Sequence, residues 1–280
     1  MKTGLVLEGG GMRGLYTAGV LDALMETDFH ADVVCGTSAG AAFGINLLSR
    51  QPGRVLRYNA EYMGDKRYVS LRSWLTTGNM VNTEFAYDMI PNELDPFDYE
   101  TYRNSGTAMF ATLTDTRTGR PEYVRIYDCN DQMDAIRASA SLPFLSRKVR
   151  FRGKSYLDGG ISDNIPLGKC REEGCDRIIV VLTHPDGYVK HENLYWISLL
   201  FYPFSRGLHR AFATRDERYA ARLREIAAAE ASGEIFVLRP SARVDVSRLE
   251  KDVSRLRELH ALGLSDARAA IPAMRRYLER

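Results

Sequence analysis

A serine hydroxyl attacks an acyl carbonyl well only when it stands clear of its own chain, with a proton acceptor beside it and N–H donors aimed at the developing oxyanion. Gly36-Thr37-Ser38-Ala39-Gly40 has the G-x-S-x-G spacing that lifts a serine on a sharp strand-to-helix turn. Gly36 and Gly40 are needed there because side chains would collide with neighbouring backbone. The helix that follows would point its N-terminus at the serine and favour negative charge near it. The pattern also occurs as a plain turn. What lifts it above that reading is its setting, an apolar β-like run before and an alanine-rich run after.

Upstream lies Gly9-Gly10-Gly11-Met12-Arg13-Gly14, after a strand-like run and before a helical one. Successive glycine N–H groups in such a turn can hold an anion. Read literally it is G-x-G-x-x-G, the fingerprint of a dinucleotide-binding oxidoreductase. That reading also needs an acidic residue about twenty positions on, at the end of the second strand. Val34, Cys35 and Gly36 stand there instead. An oxyanion hole built from Gly9 to Arg13 uses the same geometry and explains the neighbouring serine, while a tight turn is the plainer alternative.

The proton acceptor is less obvious. Asp158-Gly159-Gly160 is by itself a turn signal. The five histidines, His30, His184, His191, His209 and His260, share no motif. His184 or His260 could complete a Ser–Asp–His order. In the α/β-hydrolase fold, however, several strands usually precede the serine elbow, and here only one does.

The elements that must position these residues follow from periodicity. Leu5–Leu7 reads as a strand, Leu15 to Leu24 as a helix, Asp32–Cys35 as a buried strand and Ala41–Leu48 as a helix. This alternation predicts a parallel sheet covered by helices. Arg54–Met63 reads as helical, and Asn79–Asp98 as turn residues mixed with short apolar pieces. Thr107–Thr112 and Glu122–Tyr127 read as strands paired across Thr118-Gly119-Arg120, and Asp131–Ser141 as a helix. Val149–Tyr156 is a hairpin around Gly153. Pro166–Glu173 is a helix, Ile178–Leu182 a buried strand, Glu217–Ala231 a helix, Ile235–Leu238 a last strand, and Ser247 onward a charged helix.

Composition sets wide bounds. The chain of 280 residues is 45% hydrophobic and 26% charged, with a formal net charge of +2, which gives no argument for nucleic acid. The cluster Arg206, Arg210, Arg215, Arg218 reads as a solvated helix face. Cys35, Cys129, Cys170 and Cys175 lack paired zinc spacing and read as reduced, mostly buried thiols. With no leader-like start and no long apolar run, the expected location is the cytoplasm. Leu194–Phe204 is the most apolar and aromatic stretch. It could line an acyl channel, act as a lid, dip into a membrane interface, or simply pack in the core.

The glycine-rich turn at the first strand, the elbow at the second, and Asp158-Gly159-Gly160 after the helix end Ala138-Ser139-Ala140-Ser141-Leu142-Pro143-Phe144 together resemble the patatin-like phospholipase family. Ser162-Asp163-Asn164-Ile165-Pro166 and, more distantly, Phe236 to Ser241 resemble it too, the latter a bacterial branch. The resemblance implies a three-layer α/β fold, a mostly parallel sheet with helices on both faces and a helical C-terminal extension. It implies a 1–185 hydrolase core, with 186–280 packed on it rather than forming an independent domain. It implies a Ser–Asp dyad without histidine: Ser38 as nucleophile, Asp158 as base, Gly9, Gly10, Gly11, Met12 and Arg13 around the oxyanion hole, and Gly14, Gly36, Gly40, Gly159 and Gly160 as motif glycines. Substrates would be lipid or other acyl esters, with peripheral membrane contact and no metal or organic cofactor. The remaining readings are a nicotinamide-dependent oxidoreductase and a silent lipid-binding protein of the same fold. Oligomeric state and the particular ester stay open.

Overall fold

The computed structural model describes residues 1–188, 192 and 194–280. Its strands are β1 (Thr3–Leu7), β2 (Val33–Thr37), β3 (Ala108–Asp115), β4 (Pro121–Ile126), β5 (Val149–Phe151), β6 (Lys154–Asp158), β7 (Arg177–Val181) and β8 (Ile235–Leu238). Its helices are α1 (Gly14–Met25), α2 (Ala39–Leu48), α3 (Arg54–Tyr62), α4 (Leu71–Thr77), α5 (Tyr99–Arg103), α6 (Met133–Ser139), α7 (Leu167–Glu172), α8 (Tyr195–Phe201), α9 (Arg206–Ala213), α10 (Arg215–Ala231) and α11 (Val253–Leu278).

The strands form one sheet in the order β5-β6-β3-β2-β1-β7-β8, with β4 also on β3. The β3-β2-β1-β7-β8 run is parallel, and the β4, β5 and β6 pairings are antiparallel. Alternate side chains along each parallel strand enter separate cores, as a sheet covered on both faces requires. Leu5, Leu7, Val34 and Val181 pack with helices α1, α2 and α11, whereas Val6, Cys35, Ile178 and Val180 pack with α7 and α10. This is the three-layer α/β architecture anticipated from the alternation of elements.

Register brings the motifs together. Leu7 lies opposite Gly36, so the turn after β1 and the turn after β2 emerge side by side at the carboxyl end of the sheet. Thr37 lies opposite Thr112, and Leu113 opposite Asp158. Ser38 and Asp158 therefore flank β3.

Several elements differ from the sequence expectations. Residues 79–98 are more ordered than turn chemistry suggested: Phe85–Leu94 is a π-helical stretch containing Pro91. The helix expected from Ser247 starts only at Val253, where the Asp252 side chain accepts the N–H groups of Ser254 and Arg255. Residues 247–252 instead pass over the glycine-rich turn, and Met12 N donates to Arg248 O at 3.1 Å. Helix α4 was not foreseen, although Ser70 caps its first turn and Gly78 (φ 77°) ends it. Nor was α9. Leu194–Phe204 is divided: Tyr202 packs in a small core cluster with Leu194 against it, while α8 otherwise lies on the surface, Leu200 78% and Phe204 98% exposed. No helix among the described residues is long and apolar enough to cross a membrane. All four cysteines are free thiols.

Candidate active site

Ser38 has φ 54° and ψ −121°, a region that a side-chain-bearing residue enters only when its surroundings hold it there. Two contacts hold it. The chain must double back so tightly that a Cβ on Gly40 would run into the Leu7 carbonyl. Ser38 N also donates to Ser139 Oγ at 2.9 Å, and Ser139 Oγ donates to Thr112 O at 2.7 Å. Strain at Ser38 is thus held by a buried hydroxyl at the end of α6.

The same helix end positions the carboxylate. Asp158 N donates to Ser141 O at 2.9 Å. Asp158 Oδ1 accepts Gly160 N at 2.7 Å, and its Oδ2 accepts Ser38 Oγ at 2.6 Å. Both side chains are 5% exposed. Burial pushes the Asp158 carboxyl above the ordinary carboxylate range. The Ser38 and Gly160 hydrogen bonds and the charges of Arg215 and Arg248 pull the other way without cancelling it.

The glycine-rich turn is pinned from beneath. Glu8 is 1% exposed and accepts Thr183 N at 2.6 Å, Tyr219 OH at 2.6 Å and Asn164 Nδ2 at 3.1 Å. Asn164 also meets both sides of Gly9: its O accepts Gly9 N at 3.1 Å and its Nδ2 donates to Gly9 O at 2.9 Å. Gly11 adopts φ +58°, and a Cβ there would lie 2.6 Å from Arg248 O.

These contacts narrow the expected set of anion donors. The N–H groups of Gly9, Met12 and Arg13 are taken by Asn164 O, Arg248 O and Gly10 O. Among the described residues, Gly10 and Gly11 N–H have no protein acceptor. Arg13 lines the small cavity beside Ser38, and its Nε donates to Val246 O at 3.0 Å. A small cavity joins Gly10, Gly11, Ser38 and Asp158 with Arg215 and Arg248 at its rim.

A second cavity, about 120 Å³, opens from Ser38 between Ala42, Phe43, Tyr87, Ile90 and Ile136. Its wall includes the π-helical stretch, and burial holds the Tyr87 phenol up at about 12. The short apolar pieces of 79–98 thus face the serine.

Of the histidines, His260 Nε2 meets Asp22 Oδ2 at 2.7 Å and His209 Nε2 meets Tyr202 O at 2.8 Å. His30 is exposed. His184 stacks on Tyr188 with ring centroids 3.5 Å apart and reaches the rim of the small cavity. His191 lies outside the described residues. The hydroxyl of Ser38 meets the Asp158 carboxylate directly, with no ring between them.

Sequence reasoning missed Glu8, Ser139, Arg215 and Arg248. It read Arg215 as part of a solvated face, but Arg215 is 8% exposed with Nε on Gly160 O at 2.9 Å, and Arg218 Nη2 donates to Ile161 O at 2.8 Å. Arg215 and Arg218 of α10 thus brace the turn after Asp158. Arg206 and Arg210 of α9 do face solvent.

A family model for patatin-like phospholipase matches residues 5–170, and a model for a domain of unknown function (DUF6363) matches residues 205–279. The chain is 31% identical over 189 residues to the uncharacterized protein YjjU of Escherichia coli (strain K12), covering 66% of this chain and 52% of YjjU. It is 30% identical over 188 residues to lysophospholipase NTE1 of Saccharomyces cerevisiae, covering 64% of this chain and 10% of NTE1. The chain therefore spans about half the length of the first relative and a tenth of the second. Among solved structures, VipD from Legionella pneumophila aligns with a TM-score of 0.46 at 14% identity, covering 97% of this chain and 67% of that one.

Proposed function

The chain belongs to the patatin-like phospholipase family, whose model matches residues 5–170, and from that premise we propose that it hydrolyses acyl esters of lipids through a Ser38–Asp158 dyad. The observation that carries this reading is the 2.6 Å hydrogen bond from Ser38 Oγ to Asp158 Oδ2 at the mouth of an apolar cavity. Ser38 Oγ attacks the carbonyl carbon while Asp158 Oδ2 takes its proton. The oxyanion forms against Gly10 and Gly11 N–H, which are fixed in advance and cost no reorganisation. Asp158 returns the proton to the leaving alcohol, leaving an acyl group on Ser38. Water then attacks the acyl carbon while Asp158 takes its proton, the bond to Ser38 Oγ breaks, and Asp158 passes the proton to Oγ as the acid leaves.

The environment suits each role. A free aspartate, with a reference pKa of about 3.9, is a weak base, and burial raises its basicity. The apolar cavity would receive the acyl chain, and Arg215 and Arg248 at the rim of the small cavity leave the polar end of the substrate on the other side. Residues 186–280 act in this reading as an extension of the 1–185 core: β8 extends the sheet beside β7, and Arg248 reaches the cavity rim.

A fluorophosphonate probe tests the assignment. Labelling should map to Ser38 by peptide mass spectrometry, and Ser38→Ala should lose labelling and ester turnover together. An ester panel read by product mass would name the substrate class. Undiminished turnover by Ser38→Ala would overturn the proposal.

A further inference from the structure

Helix α8 is amphipathic the wrong way round for a helix of the fold. Its Ser198 is fully buried, with Oγ on Tyr195 O at 2.6 Å, while Trp196 is 70% and Leu200 78% exposed. Phe204, just beyond it, is 98% exposed. A surface helix that hides its serine and shows tryptophan, leucine and phenylalanine has a use for apolar surface outside the molecule.

The patch extends beyond α8 through the loop that follows α6. Phe144 N donates to Tyr202 OH at 2.9 Å, and the Phe144 and Phe201 rings lie 5.2 Å apart. On its other side the loop meets the end of α4: Met80 N donates to Leu145 O at 2.8 Å and Arg147 N to Asn79 Oδ1 at 2.9 Å. Helix α4 adds Leu71 and Leu75, 61% and 70% exposed. Leu142, at the start of the same loop, lines both cavities that contain Ser38. The exposed apolar surface is thus continuous with the mouth of the site.

Charge identifies the occupant. The three segments that meet here, residues 68–83, 138–152 and 194–214, contain seven Lys or Arg residues and no Asp or Glu, in a chain whose whole net charge is only +2. All seven are exposed, among them Arg72, Arg147, Lys148, Arg206 and Arg210. Among the described residues, none of the seven is in an ion pair. Tryptophan, leucine and phenylalanine ringed by unpaired cations match a bilayer surface with anionic headgroups, where the rings enter the headgroup boundary and the cations meet phosphates. A protein partner of ordinary mixed charge would leave most of these cations without a counterpart.

We propose that α8, α4 and the loop between α6 and β5 seat this protein on an anionic lipid surface, with the Ser38 mouth facing the bilayer. The proposal rests on the lipid-hydrolase reading for its purpose, but its test does not. The Ser38→Ala protein, which leaves vesicles intact, is mixed with vesicles of phosphatidylcholine alone or of phosphatidylcholine with phosphatidylglycerol, and sedimented. The chain's two tryptophans, Trp74 and Trp196, lie on α4 and α8, so intrinsic fluorescence reports this surface alone.

The expected result is salt-sensitive partition to the anionic vesicles with a blue shift that Trp196→Phe diminishes. Arg206→Glu with Arg210→Glu should weaken partition by roughly tenfold or more, since each nearby cation contributes about fivefold. Leu200→Ser with Phe204→Ser should weaken it by a similar factor, while turnover of a water-soluble ester, measured with Ser38 present, stays near the unsubstituted value. No partition, equal partition to neutral vesicles, or partition indifferent to these substitutions would overturn the proposal. So would a dimer that Leu200→Ser with Phe204→Ser converts to monomer, because the face would then belong to a second copy. Absence of soluble-ester turnover by the unsubstituted protein would count against the hydrolase reading instead.

Discussion

Two regions of this molecule break the rule of apolar inside and polar outside, and they break it in opposite directions. At the carboxyl end of the sheet a carboxylate, two serines and a glutamate are buried, each with hydrogen-bond partners. On α8 and α4 large apolar side chains stand in solvent above a buried serine. The first exception holds buried polar groups in one geometry, where a partner lost is costly. The second makes no demand on geometry and stabilises the fold little. The two should therefore answer to mutation differently. The buried site should respond in rate and in stability, with the sign of the stability change set by the group removed, and the exposed patch only in where the protein goes.

The largest effect is expected at Ser38. Ser38→Ala should reduce kcat by on the order of 10⁴ or more on any ester, with the fold intact by circular dichroism. Retention of even a tenth of the rate would place the nucleophile elsewhere. Ser139→Ala should come next. It removes the acceptor of Ser38 N and the donor to Thr112 O. Denaturant unfolding should show a loss of about 1–3 kcal/mol, and kcat should fall more than KM rises, because Ser139 positions the nucleophile and does not touch substrate. A variant with normal kcat would break the link between the α6 end and the elbow.

Filling the apolar cavity should change preference more than rate. Ala42→Phe narrows it beside Ser38. Turnover of long-chain relative to short-chain esters should drop by about 10–200-fold, the range one misplaced methylene commands. An unchanged chain-length profile would mean that acyl chains lie elsewhere.

Titration gives a signed test. Asp158 must be ionised to take the serine proton, and burial raises its pKa, so kcat/KM should fall with acidity through a pKa above the ordinary carboxylate range. Stability should run the other way. A carboxyl whose pKa is raised by folding favours the native state when protonated, and that benefit is lost as pH rises through the native value. Asp158→Asn should melt higher than the unsubstituted protein at neutral pH, and the gap should close as pH falls. Melting curves that stay parallel across pH would contradict a burial-raised Asp158. Smallest of all, Leu200→Ser with Phe204→Ser should shift unfolding free energy by no more than about 0.5 kcal/mol. A larger loss would mean that α8 belongs to the core after all.

The same contrast explains what could be read from the sequence. Ser38, Asp158 and the glycines announce themselves because tight backbone geometry restricts residue type locally, and the buried strands because alternate side chains enter two apolar layers. The donors of the proposed oxyanion hole were legible only as a set of five. Which N–H groups stay free depends on Asn164 and Arg248, brought in by distant chain. Glu8 looked like any charged residue after a strand, since Asn164, Thr183 and Tyr219, which bond it, come from three other segments. Arg215 and Arg206 share one basic cluster in the sequence, yet one is buried against Gly160 and the other is in water. The aromatic run of 194–204 has the composition of a core element, and only the fold turns it outward. Helix α4 could have been found from its serine cap and terminal glycine.

The central claim, a carboxylate acting alone as base on Ser38, is tested most directly by comparing Asp158→Asn with His184→Ala on one water-soluble ester. Among the described residues, His184 is the histidine that lines the small cavity beside Ser38. The account predicts that Asp158→Asn loses kcat/KM by on the order of 10⁴ while His184→Ala stays within about tenfold of the unsubstituted protein. A His184→Ala protein as inactive as Asp158→Asn, or an Asp158→Asn protein that still turns over, would contradict it.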